Sequence, residues 1–285
     1  MAGTGYRTRA EFDLRPALPS DAPGVGALGR EVFDIGTADR AEDLVTRRAR
    51  HYLATAHPSS MVAETPSGEL VAVALTRQLG SRVFLAWAAV RETFQNRGIM
   101  RAMLDAFPAG APGLQRTILC STDPKAMRRY SLLGLPLHPT VSACGILRPG
   151  AVQTPTGAIE SSVAEAEAVL EPIAEAVRGS GYAIDIPLMD AQGDRAHVVD
   201  GAVAIRAGGI VRALVARTPE AGALALRAAL AAAPSGATIH VNQMRAGQDW
   251  AIREALAAGL PLSPDGPIFS DPPLSPLHLP NGSWC

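Results

Sequence analysis

The chain has little cysteine: three in 285 residues, Cys120, Cys144 and Cys285, with no CxxC spacing. That sparse, odd set argues against a disulfide framework and against a thiolate zinc site. Net charge is close to absent, at −1, so the chain lacks the basic footprint of a nucleic-acid binder, and no nucleic-acid partner is expected. The local basic run Arg47, Arg48 and Arg50 reads as a solvated helix face. No apolar stretch is long enough to span a membrane, and the opening "MAGTGYRTRAEFDL" holds no apolar segment. The expectation is a cytoplasmic protein without a membrane partner. Aromatic residues are scarce at 5%, while Ala, Gly, Pro, Arg and Leu carry much of the chain, so Ala is discounted as a helix signal.

What is present is enough apolar material, 47%, for a sizeable core. At roughly 100–200 residues per domain the length suggests two domains. Residues 11–15 read as a strand, and Ser20 or Asp21 as the N-cap of a helix. Residues 38–56 read as a second helix. A meander of three strands follows, through "SMVAET", "ELVAVALTRQLG" and "SRVFLAWAAV", punctuated by Gly/Ser turns. "GIMRAMLDAF" is helical, "RTILCS" a buried strand and "DPKAMRRYSLLG" a helix. In the last, Asp123 caps the start, Pro124 takes the first turn and Gly134 closes the end. The order β-α-α-β-β-β-α-β-α-β describes a mixed α/β domain over residues 1–148. Residues 149–160, rich in Pro, Gly and Thr, read as a linker, and residues 161–285 as a second domain.

The second half repeats the first. "GLPL" occurs at 134–137 and 259–262, each time after a short apolar strand and a helix. Laying Gly134 over Gly259 brings Gly98 beside Gly222. A repeat this long means two similar domains rather than a solenoid.

Two stretches carry chemistry. In "AAVRETFQNRGIM" a strand ends at Val90, a loop carries Gln95, Asn96, Arg97 and Gly98, and a helix starts at once. A helix N-terminus with exposed amides suits a phosphate or pyrophosphate. Gly98 permits close backbone approach and Arg97 adds a charged fork. In "STDPKAMRRYSLLGL", Ala126, Tyr130 and Gly134 recur every fourth residue and share one side of a helix. A tyrosine hydroxyl can protonate a departing thiolate.

Together these stretches resemble the GCN5-related N-acetyltransferase (GNAT) superfamily. Its acyl-CoA loop reads Arg/Gln-x-x-Gly-x-Gly/Ala; here Gln95 and Gly98 match and Met100 replaces the last small residue. Its later helix reads Asn-x-x-Ala-x-x-x-Tyr-x-x-x-Gly-Phe; here Asp123, Ala126, Tyr130, Gly134 and Leu135 hold those places. The likeness covers the first half, and the C-terminal stretches "WAI", "PDGPIF" and "LPNGSW" resemble two-domain actinobacterial acetyltransferases. The resemblance implies a mixed-sheet GNAT fold in tandem, the second copy degenerate. It implies acetyl-CoA, or another acyl-CoA, as cosubstrate, with no metal. The main chain of Ala88, Ala89 and Val90 would hold the pantetheine arm. The amides from Asn96 through Arg97, Gly98 and Ile99 to Met100 would hold the pyrophosphate, and Tyr130 would be the general acid. A small-molecule amine would attack the thioester directly, without an acyl-enzyme. Cys120, in "TILCS", reads as a buried core thiol.

No carboxylate or histidine occurs on the strand before the loop. Glu31, Asp34, His51, His57, Glu64, His138, Asp194, His197 and Asp200 are the candidates for a base. In the second copy Pro219 falls near the Gln95 position and Ala255 at the Tyr130 position, so that copy is expected to have lost its chemistry. The alternative is a noncatalytic acyl-CoA-binding sensor or accessory protein, favoured by the missing base and disfavoured by the retained Tyr130.

Overall fold

The computed structural model describes residues 12–33, 44–107, 113–282 and 284. Among them are thirteen strands and eight α-helices. The first copy runs β1 (Asp13–Pro16), α1 (Ala22–Phe33), α2 (Leu44–Ala54), β2 (Met61–Glu64), β3 (Leu70–Leu79), β4 (Arg82–Val90), α3 (Ile99–Leu104), β5 (Gln115–Leu119), α4 (Pro124–Ser131) and β6 (Leu137–Ile146). The second runs β7 (Ile159–Ser162), α5 (Val163–Arg178), α6 (Ile186–Ala191), β8 (Arg195–Val199), β9 (Ala202–Ala207), β10 (Ile210–Ala216), α7 (Pro219–Ala231), β11 (Thr238–Arg245), α8 (Asp249–Ala257) and β12 (Leu262–Asp271). The orders are the same, and a short β13 (His278–Leu279) is added. Strand β7 begins inside the stretch read as a linker, so Ile159 and Glu160 belong to the second copy's first strand. Residues 38–43 of the expected second helix lie outside the described residues.

The compact units do not follow the repeat boundary expected at residue 148. One comprises residues 1–78 and 83–114, the other residues 79–82 and 115–285. The reason lies in strand pairing within the second unit. There β12 lies between β5 and β6, and β6 lies between β12 and β11. All three pairings are antiparallel. Each copy's last strand therefore pairs with the fifth strand of the other copy. This is an intramolecular form of the exchange seen in domain swapping, and it ties β5 and β6 to the second half.

In the first unit β2 pairs antiparallel with β1 and β3, and β3 also borders β4. Val71 to Leu75 are each at most 2% exposed, so β3 is covered on both faces, which explains its unbroken apolar run. Helix α1 comes close to its neighbours through glycines. A Cβ on Gly29 would sit 2.1 Å from Trp87 Cζ2, and one on Gly26 would sit 2.3 Å from Thr46 Oγ1. Asp21 precedes α1, but its carboxylate accepts from the Leu18 amide and from Arg15, which also donates from Nε to Glu64 at 2.9 Å.

In the second unit, Ala202, Ala204, Leu214 and Ala216 of β9 and β10 share an apolar cluster with α7. The alternate residues Val203, Ile205 and Val215 are equally buried, on the face that α5 covers. Helices α7 and α8 are joined by Arg227 and Glu254, paired at 2.9 and 2.6 Å.

Candidate acyl-CoA site and its counterpart in the second copy

Strand β4 ends at Val90, with Ala89 buried and Ala88 and Val90 half-buried. A 3-10 turn at Glu92–Phe94 follows. The Gln95 side chain turns back, its Nε2 donating to Val90 O at 3.3 Å, so Gln95 braces the loop against the strand it leaves. Asn96 (φ 62°) and Gly98 (φ 80°) both take left-handed backbone, a conformation Asn tolerates and Gly adopts freely. Such turns aim amides into a concavity suited to anions. Arg97 lies over the Phe94 ring at 5.0 Å and donates from Nη2 to Thr93 O at 2.9 Å.

Gly98 is the N-cap residue of α3, and having no side chain it caps nothing. The amides of Gly98, Ile99 and Met100 meet no acceptor among the described residues. Helix starts leave such donors open by construction, and a ligand is one way to satisfy them. Ile99 is buried and Met100 half-buried, so the larger residue at the family's small position is accommodated within helix packing.

In the second unit, Asp123 caps α4 as expected, its carboxylate accepting from the Lys125 amide at 2.9 Å, and Gly134 ends the segment at φ 73°. Tyr130 is 7% exposed and sits edge-on to Phe269, with centroids 5.8 Å apart. Ala126, half-buried, lies one turn before it on the same side. Burial first, then the neighbouring Cys120 and Asp123, push the Tyr130 hydroxyl well above its ordinary value, so it stays protonated at neutral pH. Cys120 is buried, and burial with Asp123 pushes its thiol up to about 12, which removes it as a nucleophile.

Several of the base candidates are already engaged. Glu31 pairs with Arg91 at 3.0 Å, Glu64 with Arg15 at 2.8 Å and Asp194 with Arg212 at 3.8 Å. His57 Nδ1 meets Ser59 Oγ at 2.9 Å, and His138 Nε2 lies 3.1 Å from Ser270 O. His197 is buried, and burial together with Arg206 pushes it down to about 4. His51 lies in the last turn of α2, Asp200 is exposed beside Val199, and Asp34 lies outside the described residues.

The second copy differs at the loop, at the helix cap and at the tyrosine position. Strand β10 runs into α7 through Arg217 and Thr218 alone, where the first copy has an eight-residue loop from Arg91 to Gly98. Thr218 caps α7 with its own hydroxyl, which accepts from the Ala221 amide at 3.2 Å. The counterpart of Gly98 as N-cap is therefore Thr218. Gly222 lies inside the helix, where a Cβ would meet the Trp250 ring at 3.0 Å, so it is a packing glycine. Likewise Pro219 stands at the first helical position rather than in a loop. Ala255 does take Tyr130's place, seventh in its helix and fully buried.

A feature not legible in the sequence closes this second position. β10 and β11 pair in parallel only at Ile210 and His240, after which they diverge. β13 enters beside β10, with Leu214 facing Leu279 and Val215 facing His278, and Leu277 O accepts from the Ala216 amide at 3.0 Å. Counted back from the strand ends at Val90 and Ala216, Ala88 and Ala89 fall on Leu214 and Val215. The chain's own tail thus makes, in the second copy, the strand-like pairing expected of a pantetheine arm in the first.

Among the described residues no group of His, Cys, Asp and Glu could hold a metal, and no helix is long and apolar enough to cross a membrane. No family model and no curated protein matches the chain. Solved structures do. A candidate acetyltransferase from Pyrococcus horikoshii is similar over 100% of this chain and 99% of its own, at TM-score 0.78 and 13% identity. A tandem GNAT protein from the clavulanic acid biosynthesis pathway is similar over 91% of this chain and 98% of its own, at 0.58 and 16%. A GCN5-related N-acetyltransferase from Sphaerobacter thermophilus is similar over 91% and 95%, at 0.54 and 14%. The chain has the fold of the GCN5-related N-acetyltransferases, present twice in tandem, with the second copy lacking the loop and the tyrosine of the first.

Proposed function

We propose that the chain is an acyl-CoA-dependent N-acyltransferase, with acetyl-CoA as the first donor to test, whose one working site belongs to the first copy. The observation that carries this reading is the contrast between two helix starts. Gly98, Ile99 and Met100 offer amides that meet no acceptor among the described residues at a left-handed turn, whereas Thr218 caps α7 with its own side chain. An anionic diphosphate suits the first and has nothing to bind at the second.

In this reading the main chain of Ala88 to Val90 holds the pantetheine arm and the Asn96–Met100 amides hold the diphosphate. A small-molecule amine attacks the thioester carbonyl, the carbon–sulfur bond breaks, and the thiolate takes the Tyr130 proton. The amine's surplus proton leaves through water. Tyr130's raised value fits a donor that is fully protonated at neutral pH, and the buried Cys120 fits a route without an acyl-enzyme. Asp123 and Ala126 support the reading by setting the helix that carries Tyr130.

The engagement of Glu31, Glu64 and Asp194 in ion pairs favours a second reading, a noncatalytic acyl-CoA sensor. Thiol release measured across a panel of amines separates the two. Turnover on at least one amine, with a large loss in Tyr130→Phe, supports transfer. Tight acetyl-CoA binding with no turnover on any amine supports the sensor.

A further inference from the structure

The second copy lacks the loop and the tyrosine of the first, yet two of its strands reach the segment that carries Tyr130. All the residues concerned lie in the second compact unit. Both strands bulge where they flank β6. The register of β11 with β6 shifts between Val241 and Met244, and that of β12 with β6 shifts between Asp265 and Ile268. Bulges re-aim side chains and are frequent beside active sites.

Gln243 lies in the first bulge, with φ 54°. Among the described residues only Gln243 and Asn96, in the loop after β4, are non-glycine residues at positive φ. Such backbone is strained for a long side chain and persists where the surroundings enforce it. Gln243 is buried. Its main-chain amide donates to Asp265 Oδ2 at 3.1 Å, and Asp265 Oδ1 accepts from the Gly266 amide at 2.7 Å, so one carboxylate joins the two bulges. Its side-chain Nε2 donates to Cys120 O at 3.5 Å. An unbroken ladder would hold β11 three strands from β5, about 14 Å away. With the bulges, a glutamine side chain spans the distance.

The second bulge grips the same place. Cys120 N donates to Pro267 O at 3.0 Å. A Cβ on Gly266 would sit 2.0 Å from Cys120 O and 2.6 Å from Ser121 C, so only glycine allows this approach. Gly266 O in turn accepts from Thr140 Oγ1 at 2.8 Å. Three residues on, Phe269 meets the Tyr130 ring. Cys120 is where β5 gives way to the Tyr130 helix: Leu119 ends the strand, Ser121 Oγ accepts from the Asp123 amide at 3.3 Å, and Asp123 caps α4.

We propose that Gln243 of the second copy is a positioning residue for transfer in the first, fixing the Cys120 carbonyl and with it the turn from which the Tyr130 helix departs. The proposal rests on the reading of Tyr130 as the thiolate's proton donor. A glycine at position 243 would hold the same backbone without strain. It would not supply the amide that reaches Cys120.

Gln243→Gly in the full chain is therefore the test, and it is expected to fold. Thiol release should show kcat lowered at least ~10-fold, as misplacement of a reacting group predicts, with the KM for acetyl-CoA within ~2-fold of the parent's. Carbon-13 labelling of the tyrosine rings supplies a second readout, the Tyr130 signal being the one lost in Tyr130→Phe. In Gln243→Gly that signal should move, while the signal of Tyr182, fully buried in the same unit, should stay. A kcat within ~2-fold of the parent's, or an unmoved Tyr130 signal, would overturn the proposal. So would movement of both signals together, which reports general loosening. If the parent releases no thiol with any amine, it is the transfer reading that fails, and the tyrosine signals alone decide whether Gln243 sets the place of Tyr130.

Discussion

His278 pairs with Val215 across β13 and β10, one residue before β10 ends at Ala216, the place that Ala89 holds before β4 ends at Val90. In the second copy the end of β10 is filled by protein. In the first, the loop after β4 leaves the amides of Gly98, Ile99 and Met100 without an acceptor among the described residues. The asymmetry between the copies follows from this together with Thr218 and Ala255.

Leu279→Ala should therefore destabilise the fold. Leu279 is 2% exposed and faces Leu214, and truncating a buried leucine costs about 2–5 kcal/mol. Denaturant unfolding measures this. A loss below ~0.5 kcal/mol would mean that β13 is not part of the packed core.

Tyr130→Phe keeps the ring against Phe269 and removes only the proton donor. The expected result is a fall in kcat of about 10²–10⁴-fold with little change in the KM for acetyl-CoA. Thiol release under saturating donor reads it. A kcat within 2-fold of the parent would remove Tyr130 from the chemistry.

Gly98→Ala places a side chain at φ 80°, which costs about 1–2 kcal/mol where the backbone must stay left-handed. If the turn relaxes instead, the amides of Ile99 and Met100 lose their aim. Acetyl-CoA affinity should fall ~10-fold or more, about 1.4 kcal/mol. Gly134→Ala, at φ 73° on the helix end of α4, is the control for strain alone: it should lower Tm without the same loss of diphosphate affinity.

Stability should fall on acidification from pH 7 to 5. His197, at about 4, and His278, held lower than its ordinary value, are both neutral when folded. The unfolded chain binds protons there from about pH 6.5 downward, so each histidine adds a slope of up to about 1.4 kcal/mol per pH unit. The stability they contribute is present above the unfolded value and lost below it. His197→Asn should flatten the profile between pH 6.5 and 5; an unchanged slope would show that His197 does not stay neutral.

Much of this was legible in the sequence because it is local. Asp123, Pro124 and Gly134 announce α4, and both Gly134 and Gly259 take the left-handed backbone their positions suggest. The loop from Gln95 to Gly98 carries its signal in adjacent residues. Pairing partners are not local. Nothing in "VSACGIL" or "GPIFSD" states that β6 will sit against β11 and β12 against β5. Likewise "LHLP" has too few residues to announce a strand, since its pairing depends on the diverging end of β10. Matching Gly98 to Gly222 failed for a related reason: an Ala-rich helix needs a glycine where Trp250 packs, and the coincidence in spacing hid a different physical cause.

The most direct measurement is a calorimetric titration of acetyl-CoA into the full chain. The account predicts one molecule bound per chain, with binding lost or weakened ~10-fold or more in Gly98→Ala. No binding, or two equivalents per chain, would contradict it.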